Sequence, residues 1–458
     1  MSVKVVAFCC NWCSYAGADL AGTSRLQYPA EVKIIKIPCS CRVDPLFIMR
    51  AFQKGADGVI ICGCHPGDCH YSTGNYFTRR RIALLFNMLD FIGIEKGRVH
   101  LEWVSASEGA KFARVMDEFT AKVSALGKNH RWMGERVVED GVLDVPQISY
   151  GGNLGASRTP PPTDTNLSHR MRDRAKELLQ SGEVQQVLAW KVGEYPWLPE
   201  PAFFSTAKAL ENLVYDKFCT ANLTRYMVNQ GEGKTLVFLR PCDSYSFNQL
   251  LTENQVKREN AYIIGVGCEG CVTVDEGEEK GLLEGCQSCT KTTHVVYDEL
   301  LDADNMPRTT MDKNFRFAAV GQLEEQNADE RYAFWQAQFA KCIRCNACRN
   351  ICPTCNCKKC VFDGDKYDTQ QKANISKAEE QMFHVTRAFH VAGRCTDCGQ
   401  CSRVCPQHIP LHLLNRKFIK DINSMFGEYQ AGENIEAPAP LTSFNSDTDP
   451  EPRNSEGK

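Results

Sequence analysis

Two cysteine runs near the C-terminal end constrain this chain more than any other feature. Cys342, Cys345, Cys348 and Cys352, followed by Pro353, spell C-x2-C-x2-C-x3-C-P. Cys395, Cys398, Cys401 and Cys405, followed by Pro406, repeat the pattern without deviation. The whole chain holds 25 cysteines in 458 residues. Disulfide scaffolds are usually short and secreted, whereas this chain is long and opens "MSVKVVAFCCNWC", without a charged segment followed by a long apolar one. A reducing, cytoplasmic setting is therefore the expectation, and clustered reduced thiols there point to metal. The formal net charge of −3 suggests no nucleic-acid partner. No apolar run reaches the ~18–20 residues that span a bilayer, so no membrane insertion is expected.

Three thiolates two residues apart can wrap a single iron–sulfur cubane, and a distant fourth closes it. In bacterial ferredoxins, which use this spacing, the fourth cysteine of each run serves the other run's cluster. The pattern thus assigns Cys342, Cys345, Cys348 and Cys405 to one [4Fe–4S] cluster, and Cys395, Cys398, Cys401 and Cys352 to a second. Zinc is the competing reading, but zinc sites pair C-x2-C knuckles and lack this three-plus-one arrangement with its trailing proline. Cys355, Cys357 and Cys360 are left over. They are either thiols lying near the clusters or ligands of another centre shared with the middle of the chain.

Residues 1–127 read as alternating strands and helices. "VKVVAF" (3–8), "VKIIKI" (32–37) and "GVIIC" (58–62) are β-branched runs, each ending at a cysteine-bearing loop. Ser105 and Glu108 can form a capping box before an apolar face of Phe112, Val115, Met116, Phe119 and Val123, with Gly127 as a stop. The expected fold class is α/β, with a doubly wound, flavodoxin-like parallel sheet. Loops at the carboxyl ends of such strands share one edge, which would gather Cys9, Cys10, Cys13, Cys39, Cys41, Cys62, Cys64 and Cys69. One or two of these suit buried structural thiols, but eight favour a metal centre, whose identity the spacing does not choose. His65 and His70 are read as structural or hydrogen-bonding. Arg79, Arg80 and Arg81 read as a solvated face, with docking of an acidic partner as the alternative.

Residues 128–165, including "YGGNLGASRTPPPTDTN", read as a linker. A second α/β domain is expected over 166–325, with strands at 184–190, 235–240 and 261–267. Its Cys268, Cys271, Cys286 and Cys289 give C-x2-C-x14-C-x2-C, which suits a zinc ribbon as well as an iron–sulfur cluster, and Cys242 ends a strand beside them. Cys219 reads as a core thiol. The lone "GEG" at 231–233 is equally a turn, so no phosphate-cradling glycine loop supports FAD. A ferredoxin-like two-[4Fe–4S] domain is expected over 326–430. Residues 431–458 hold too few apolar groups to offset ordering entropy and read as a disordered tail.

"FCCNWCSYAGADLAGTSRLQYP", "GCHPGDCHYSTGNY" and "WVSASEGAKF" resemble the delta subunit of methyl-viologen-reducing hydrogenase, in colinear order through residues 3–126. That resemblance implies a [2Fe–2S] cluster and electron transfer to the flavoprotein subunit of heterodisulfide reductase. Matching positions are Cys9, Cys10, Cys13, Cys39, Cys64 and Cys69. The favoured ligands are Cys10, Cys13, Cys39 and Cys64, with Cys9 and Cys69 as alternates. Cys41 and Cys62 stand where the family carries glycine and are read as spectators, with a different ligand set as the alternative.

"SGEVQQVLAW", "FFSTAKALENL", "RPCDSYSFNQL" and "GVGCEGC" are similar to beta subunits of deazaflavin-reducing hydrogenase and formate dehydrogenase. This patchier resemblance, over residues 168–410, implies an additional [4Fe–4S] cluster using four of Cys242, Cys268, Cys271, Cys286 and Cys289, with zinc as the alternative. The resulting expectation is an iron–sulfur electron-transfer subunit. It would link a hydrogenase, formate dehydrogenase or NADH-oxidising module to a heterodisulfide-reductase-like flavoprotein, in an electron-bifurcating complex. The alternatives are a flavin-containing reductase acting on a hydride carrier and a zinc-stabilised scaffold. No catalytic residues are assigned, and no substrate site of its own is expected.

Overall fold

The β-branched runs at the start of the chain pair side by side. In the computed structural model, which describes residues 2–132, 165–228, 230–231, 233–275, 278–301, 315–363 and 377–451, they open a regular βα series. The series runs β1 (Val5–Cys10), α1 (Ser14–Thr23), β2 (Val32–Ile37), α2 (Pro45–Gln53), β3 (Gly58–Gly63), α3 (Gly74–Phe91), β4 (Val99–Trp103) and α4 (Gly109–Leu126). All four strands are parallel, in the order β2-β1-β3-β4. Side chains alternate across the sheet. Val5, Ala7 and Cys9, with Ile60 and Cys62, pack beneath α1 and α4. Phe8, Val59 and Ile61 pack beneath α2 and α3, against Met49, Phe52 and Leu85.

Local signals set the helix starts. Asp44 caps α2 by accepting the Leu46 N–H at 2.8 Å, and Pro45 occupies the first helical position. At α4, half of the capping box forms: the Ser105 N–H donates to the Glu108 carboxylate at 2.7 Å, and the helix begins at Gly109. Its apolar positions Phe112, Val115, Met116, Phe119 and Val123 are all buried.

The middle of the chain adds α5 (Thr165–Gln180), β5 (Gln186–Lys191), β6 (Glu200–Phe204), β7 (Thr235–Leu239), α6 (Pro241–Thr252), β8 (Ala261–Val266), β9 (Val272–Asp275), β10 (Glu278–Leu282), α7 (Glu284–Gln287) and β11 (Glu299–Leu301). Five strands form a mixed sheet, β11-β8-β7-β5-β6, parallel except for the β6 edge. Strands β9 and β10 make a separate hairpin, which carries the chain between the two C-x2-C pairs. Cys219 lies in this region's apolar core. The linker reading falls largely on residues 133–164 and the "GEG" turn partly on Glu232, both outside the described residues.

Helices α8 (Ala318–Glu325), α9 (Ala328–Ala340), α10 (Ala347–Asn350), α11 (Lys377–His390), α12 (Gln400–Arg403) and α13 (Leu411–Phe426) complete the order. Their core is continuous with that of the first sheet: Phe52, Leu85 and Phe91 share one apolar cluster with Trp335, Phe383, Leu414 and Phe418. Among the described residues, no helix is long and apolar enough to cross a membrane.

The reading of 431–458 as a disordered tail is corrected over 431–451. This segment runs back to α3, where Arg80 holds Asp449 and Arg79 holds Glu451. Phe444 stacks on Tyr76 at 4.7 Å and meets Phe77 edge-on at 5.2 Å. Buried ion pairs and ring stacking replace the aliphatic burial that the composition lacks. The solvated-face reading of Arg79 and Arg80 is corrected with it, because both are buried against this acidic segment. Residues 452–458 lie outside the described residues.

Candidate metal centres

The two C-terminal runs fold alike, residue for residue. Arg344 and Asp397, each preceding the second cysteine, adopt left-handed φ values of 54° and 54°. Asn346 and Gly399, each following it, do so at 61° and 68°. Each run then enters a one-turn helix, α10 or α12. The Arg344 N–H donates to Cys342 Sγ at 3.4 Å, and the Asp397 N–H to Cys395 Sγ at 3.4 Å. Such curled loops turn backbone donors and thiols toward a common centre, and α10 packs against α12.

Cys342, Cys345, Cys348 and Cys405 line one cavity, closed by Phe383, His384, Ile409 and Leu411. Glu380 and His384 bring donor atoms within 4.8 Å of the Cys342 sulfur, and Glu380 is held by Arg344 at 3.3 Å. Burial pushes Cys342 up to about 12. The other four thiols, those of Cys352, Cys395, Cys398 and Cys401, act electrostatically on one another. Burial, with the Cys352 charge beside it, pushes Cys398 up to about 12 and Cys401 up to about 11. Cys342, Cys348, Cys352 and Cys401 are buried, Cys395, Cys398 and Cys405 half-buried and Cys345 exposed. Thiols crowded in this way do not ionise together without a cation among them, so both donor sets fit an iron–sulfur core.

At the first sheet's carboxyl edge, Cys13 and Cys10 lie 2.8 and 3.7 Å from Cys64, sulfur to sulfur. Cys39 lies 3.9 Å from Cys69 and also touches Cys10 and Cys41. Hydrogen bonds from Cys10 and then Cys13 draw Cys64 down to about 4, whereas Cys13 is pushed far up by Cys10 and Cys64. Gly74, the first residue of α3, makes room for this cluster. A Cβ there would sit 2.7 Å from Cys39 Sγ, 3.2 Å from Cys69 Sγ and 3.3 Å from Cys41 Sγ. His65 braces the loop from outside through Glu108 at 2.7 Å, and His70 stacks on Trp12 at 3.7 Å.

In the middle sheet, Cys242 sits at the start of α6, and its charge couples to Cys268 and Cys289. Cys268 bonds Cys271, whose N–H donates to Cys286 Sγ at 3.3 Å. Cys268, Cys271 and Cys286 are thus in contact, with Cys242 and Cys289 close enough for their charges to be felt. Over them lies Arg240, 3% exposed, with Nη1 3.1 Å from Cys271 Sγ and Nε 2.8 Å from Asp243.

The middle site adjoins the second ferredoxin-type site through residues that sit between its cysteines. Arg416 bonds both Asp397, between Cys395 and Cys398, and Ser288, between Cys286 and Cys289, at 2.9 and 3.0 Å. Ser246 meets Thr396 at 2.9 Å, and the Gln400 amide donates to Thr220 at 2.8 Å.

Comparison with known proteins agrees with this geometry. The family described as methyl-viologen-reducing hydrogenase, delta subunit, matches residues 5–127, and the 4Fe-4S dicluster domain matches residues 338–409. The vhc iron-sulfur subunit of the F420-non-reducing hydrogenase of Methanococcus voltae is 57% identical over 124 residues, which are 27% of this chain and 86% of that protein. This chain belongs to the hydrogenase delta-subunit family. Its delta-type domain is also 55% identical over 124 residues to the F420-non-reducing hydrogenase iron-sulfur subunit of Archaeoglobus profundus, covering 27% of the chain and 90% of that relative. One subunit of the ferredoxin/F420H2-dependent CoB-CoM heterodisulfide reductase of Methanosarcina acetivorans is 39% identical over 143 residues, 31% of this chain but 18% of the relative.

Within the delta-type domain, two expectations need correction. Cys9 and Cys62 do not reach the thiol pocket. They are paired positions of β1 and β3 whose side chains point beneath α1 and α4. Cys9 therefore drops out as an alternate ligand, because Cys9 and Cys10 are neighbours on one strand and must face opposite ways. Cys41, read as a spectator, lies in the pocket beside Cys39 and Cys69. Cys69 lies there too. Of the leftover thiols in the dicluster domain, Cys355 bonds Cys352, Cys360 lies near Arg349, and Cys357 is exposed. Among the described residues, these three form no donor group with histidine, aspartate or glutamate. Arg240, Gly74 and Arg387 of α11 carried no sequence signal. The role of each depends on sulfur atoms supplied by distant segments.

Proposed function

We propose that this chain is an iron–sulfur electron-transfer subunit of a hydrogenase- and heterodisulfide-reductase-like complex. The observation that carries the proposal is the gathering of cysteines from separate segments into four groups, two of them built on the same ferredoxin-type loop. In this reading, Cys342, Cys345, Cys348 and Cys405 hold one [4Fe–4S] cluster, and Cys352, Cys395, Cys398 and Cys401 hold another. Four thiols of the delta-type pocket, with Cys10, Cys13, Cys39 and Cys64 favoured, hold a [2Fe–2S] cluster. Four of Cys242, Cys268, Cys271, Cys286 and Cys289 hold a further [4Fe–4S] cluster.

The bound clusters supply one-electron chemistry. The chain's own residues ligate them, bury them from water and set their potentials through hydrogen bonds and charge. Cys348 and Cys352 share α10 and its flank, so the two ferredoxin-type centres are neighbours. The Arg416 and Gln400 contacts support a middle group lying beside the second of them. The delta-type domain shares its core with the dicluster helices, and His390 of α11 meets Asp44 at 3.1 Å on the loop that follows Cys41. These contacts favour a relay with the delta-type pocket at one end and the middle group at the other. The delta-type end would face a heterodisulfide-reductase-like flavoprotein, and the other end a hydrogenase, formate dehydrogenase or NADH-oxidising subunit.

Anaerobic purification from the native host, with iron, sulfide and flavin analysis and identification of co-purifying subunits, tests this. The proposal requires at least about eight iron atoms per chain for the ferredoxin pair alone, and oxidoreductase partners. Zinc in place of iron, or a stoichiometric flavin on the isolated chain, would contradict it.

A further inference from the structure

Arg387 is the most conspicuous unpaired charge in the described structure. It lies near the C-terminal end of α11, between the two cysteine runs in sequence, and is 3% exposed. Its Nε, Nη1 and Nη2 are all buried, and none has a hydrogen-bond partner among the described residues. The contrast with other buried arginines is sharp. Arg240 has Asp243, Arg416 has Asp397, and Arg80 has Asp449.

A guanidinium carries donors in a fixed planar fork and does not lose its proton in a protein, so it cannot escape burial by neutralising. Burying it without an anion is strongly unfavourable. The charges acting on Arg387 are those of Cys348, Cys401, Cys355 and Cys352. Cys348 belongs to one ferredoxin-type donor set, and Cys352 and Cys401 belong to the other. No thiol stands within hydrogen-bond distance of the guanidinium, but the negative charge that acts on it comes from the sulfurs of both sites at once.

We infer that Arg387 is a positioning residue shared by the two ferredoxin-type centres, acting on both through its charge and raising the reduction potential of each. The inference rests on the two-cluster reading above. Reduction of either centre adds one electron and makes or breaks no bond, so negative charge increases beside a fixed cation that does not reorganise. The cation stabilises the reduced forms, and because it is shared, its effect falls on both members of the pair. Hydrogen bonds to sulfur and local charge are the means by which a protein tunes such centres. One arginine acting on two centres would keep their potentials moving together.

The test uses the full chain, purified anaerobically as wild type, Arg387→Met and Arg387→Lys, with iron and sulfide analysis and an EPR-monitored redox titration. Arg387→Met is expected to keep the wild-type iron content while both ferredoxin-type signals move to more negative potential. The expected size is at least tenfold in each reduction equilibrium, about 59 mV for one electron. Arg387→Lys, which keeps the charge, should recover most of that shift, and the delta-type signal should stay in place in both variants. Full iron with unmoved potentials in Arg387→Met would overturn the inference, as would a shift confined to one centre or equal shifts in both variants. Loss of cubane iron from both variants would also overturn it, by assigning Arg387 to packing. A wild-type chain without cubane signals would refute the two-cluster reading itself, a failure visible before any variant is made.

Discussion

Arg80 of α3 and Asp449 near the C-terminal end are joined by a buried ion pair, with Nη2 2.7 Å from Oδ1. Arg79 adds Glu451 at 3.0 Å, and the Trp103 indole N–H donates to the same carboxylate at 3.0 Å. Residues far apart in sequence thus fasten the last described segment to the helix that begins at the delta-type thiol pocket. Removing one partner of a buried pair leaves the other charge stranded, at a cost of about 3–5 kcal/mol. Asp449→Ala is therefore expected to release residues 431–451, raising their hydrogen exchange and opening them to limited proteolysis. Protection equal to wild type would contradict this fastening.

The two faces of β1 give a second test. Cys10→Ser is expected to remove the delta-type iron while leaving the ferredoxin-type iron in place. Cys9→Ala and Cys62→Ala are expected to keep all the iron and to cost about 1 kcal/mol of stability each, as small changes in a packed core do. Iron analysis with EPR separates the cases. Loss of the delta-type signal from Cys9→Ala would show that β1 presents its cysteines differently.

Gly74 tests the size of that pocket. A methyl group 2.7 Å from Cys39 Sγ and 3.2 Å from Cys69 Sγ requires the sulfurs to move. Gly74→Ala is expected to lower delta-type cluster occupancy several-fold without altering the other centres, as read by iron content and EPR. Full occupancy would mean that Cys39 is not a ligand held in place there.

Arg240 tests the middle site. Its guanidinium bridges Asp243 and Cys271 with both acidic partners buried. Arg240→Met is expected to destabilise the middle domain by about 3–5 kcal/mol, since Asp243 is left unpaired. The middle metal should be lost, and Arg240→Met/Asp243→Leu should regain stability but not metal. Calorimetry and metal analysis of the two variants provide the comparison.

Much of this architecture could be read from the residues because its signals are local. The C-x2-C-x2-C-x3-C-P runs fix their own loops, and the β-branched runs at 32–37 and 58–62 became strands where they stood. Cys9 and Cys10 looked alike because the β-branched run ends at Phe8, whereas β1 continues through both and adjacent strand residues face opposite ways. Strand β4 (Val99–Trp103) was missed because "VHLEW" is short and its turn signals are weak. What could not be read lies between segments. Nothing periodic connects Arg79 and Arg80 to an acidic stretch near the other end of the chain. Nothing in "FHVTRAFHVAG" marks Arg387 as buried without a protein partner, because the sulfurs around it come from two separate runs. Cys41 looked dispensable by comparison with relatives, yet the one-turn helix Ser40–Arg42 carries its sulfur into the pocket.

Low-temperature EPR of the anaerobically purified, dithionite-reduced full chain tests the central claim most directly. Two neighbouring reduced [4Fe–4S] centres are expected to give a fast-relaxing signal broadened by spin–spin interaction, alongside a slower-relaxing [2Fe–2S] signal. The cubane signal should lose its broadening when Cys398→Ser removes one member of the pair. A silent spectrum, or an unbroadened signal from a single isolated centre in the wild type, would contradict the account.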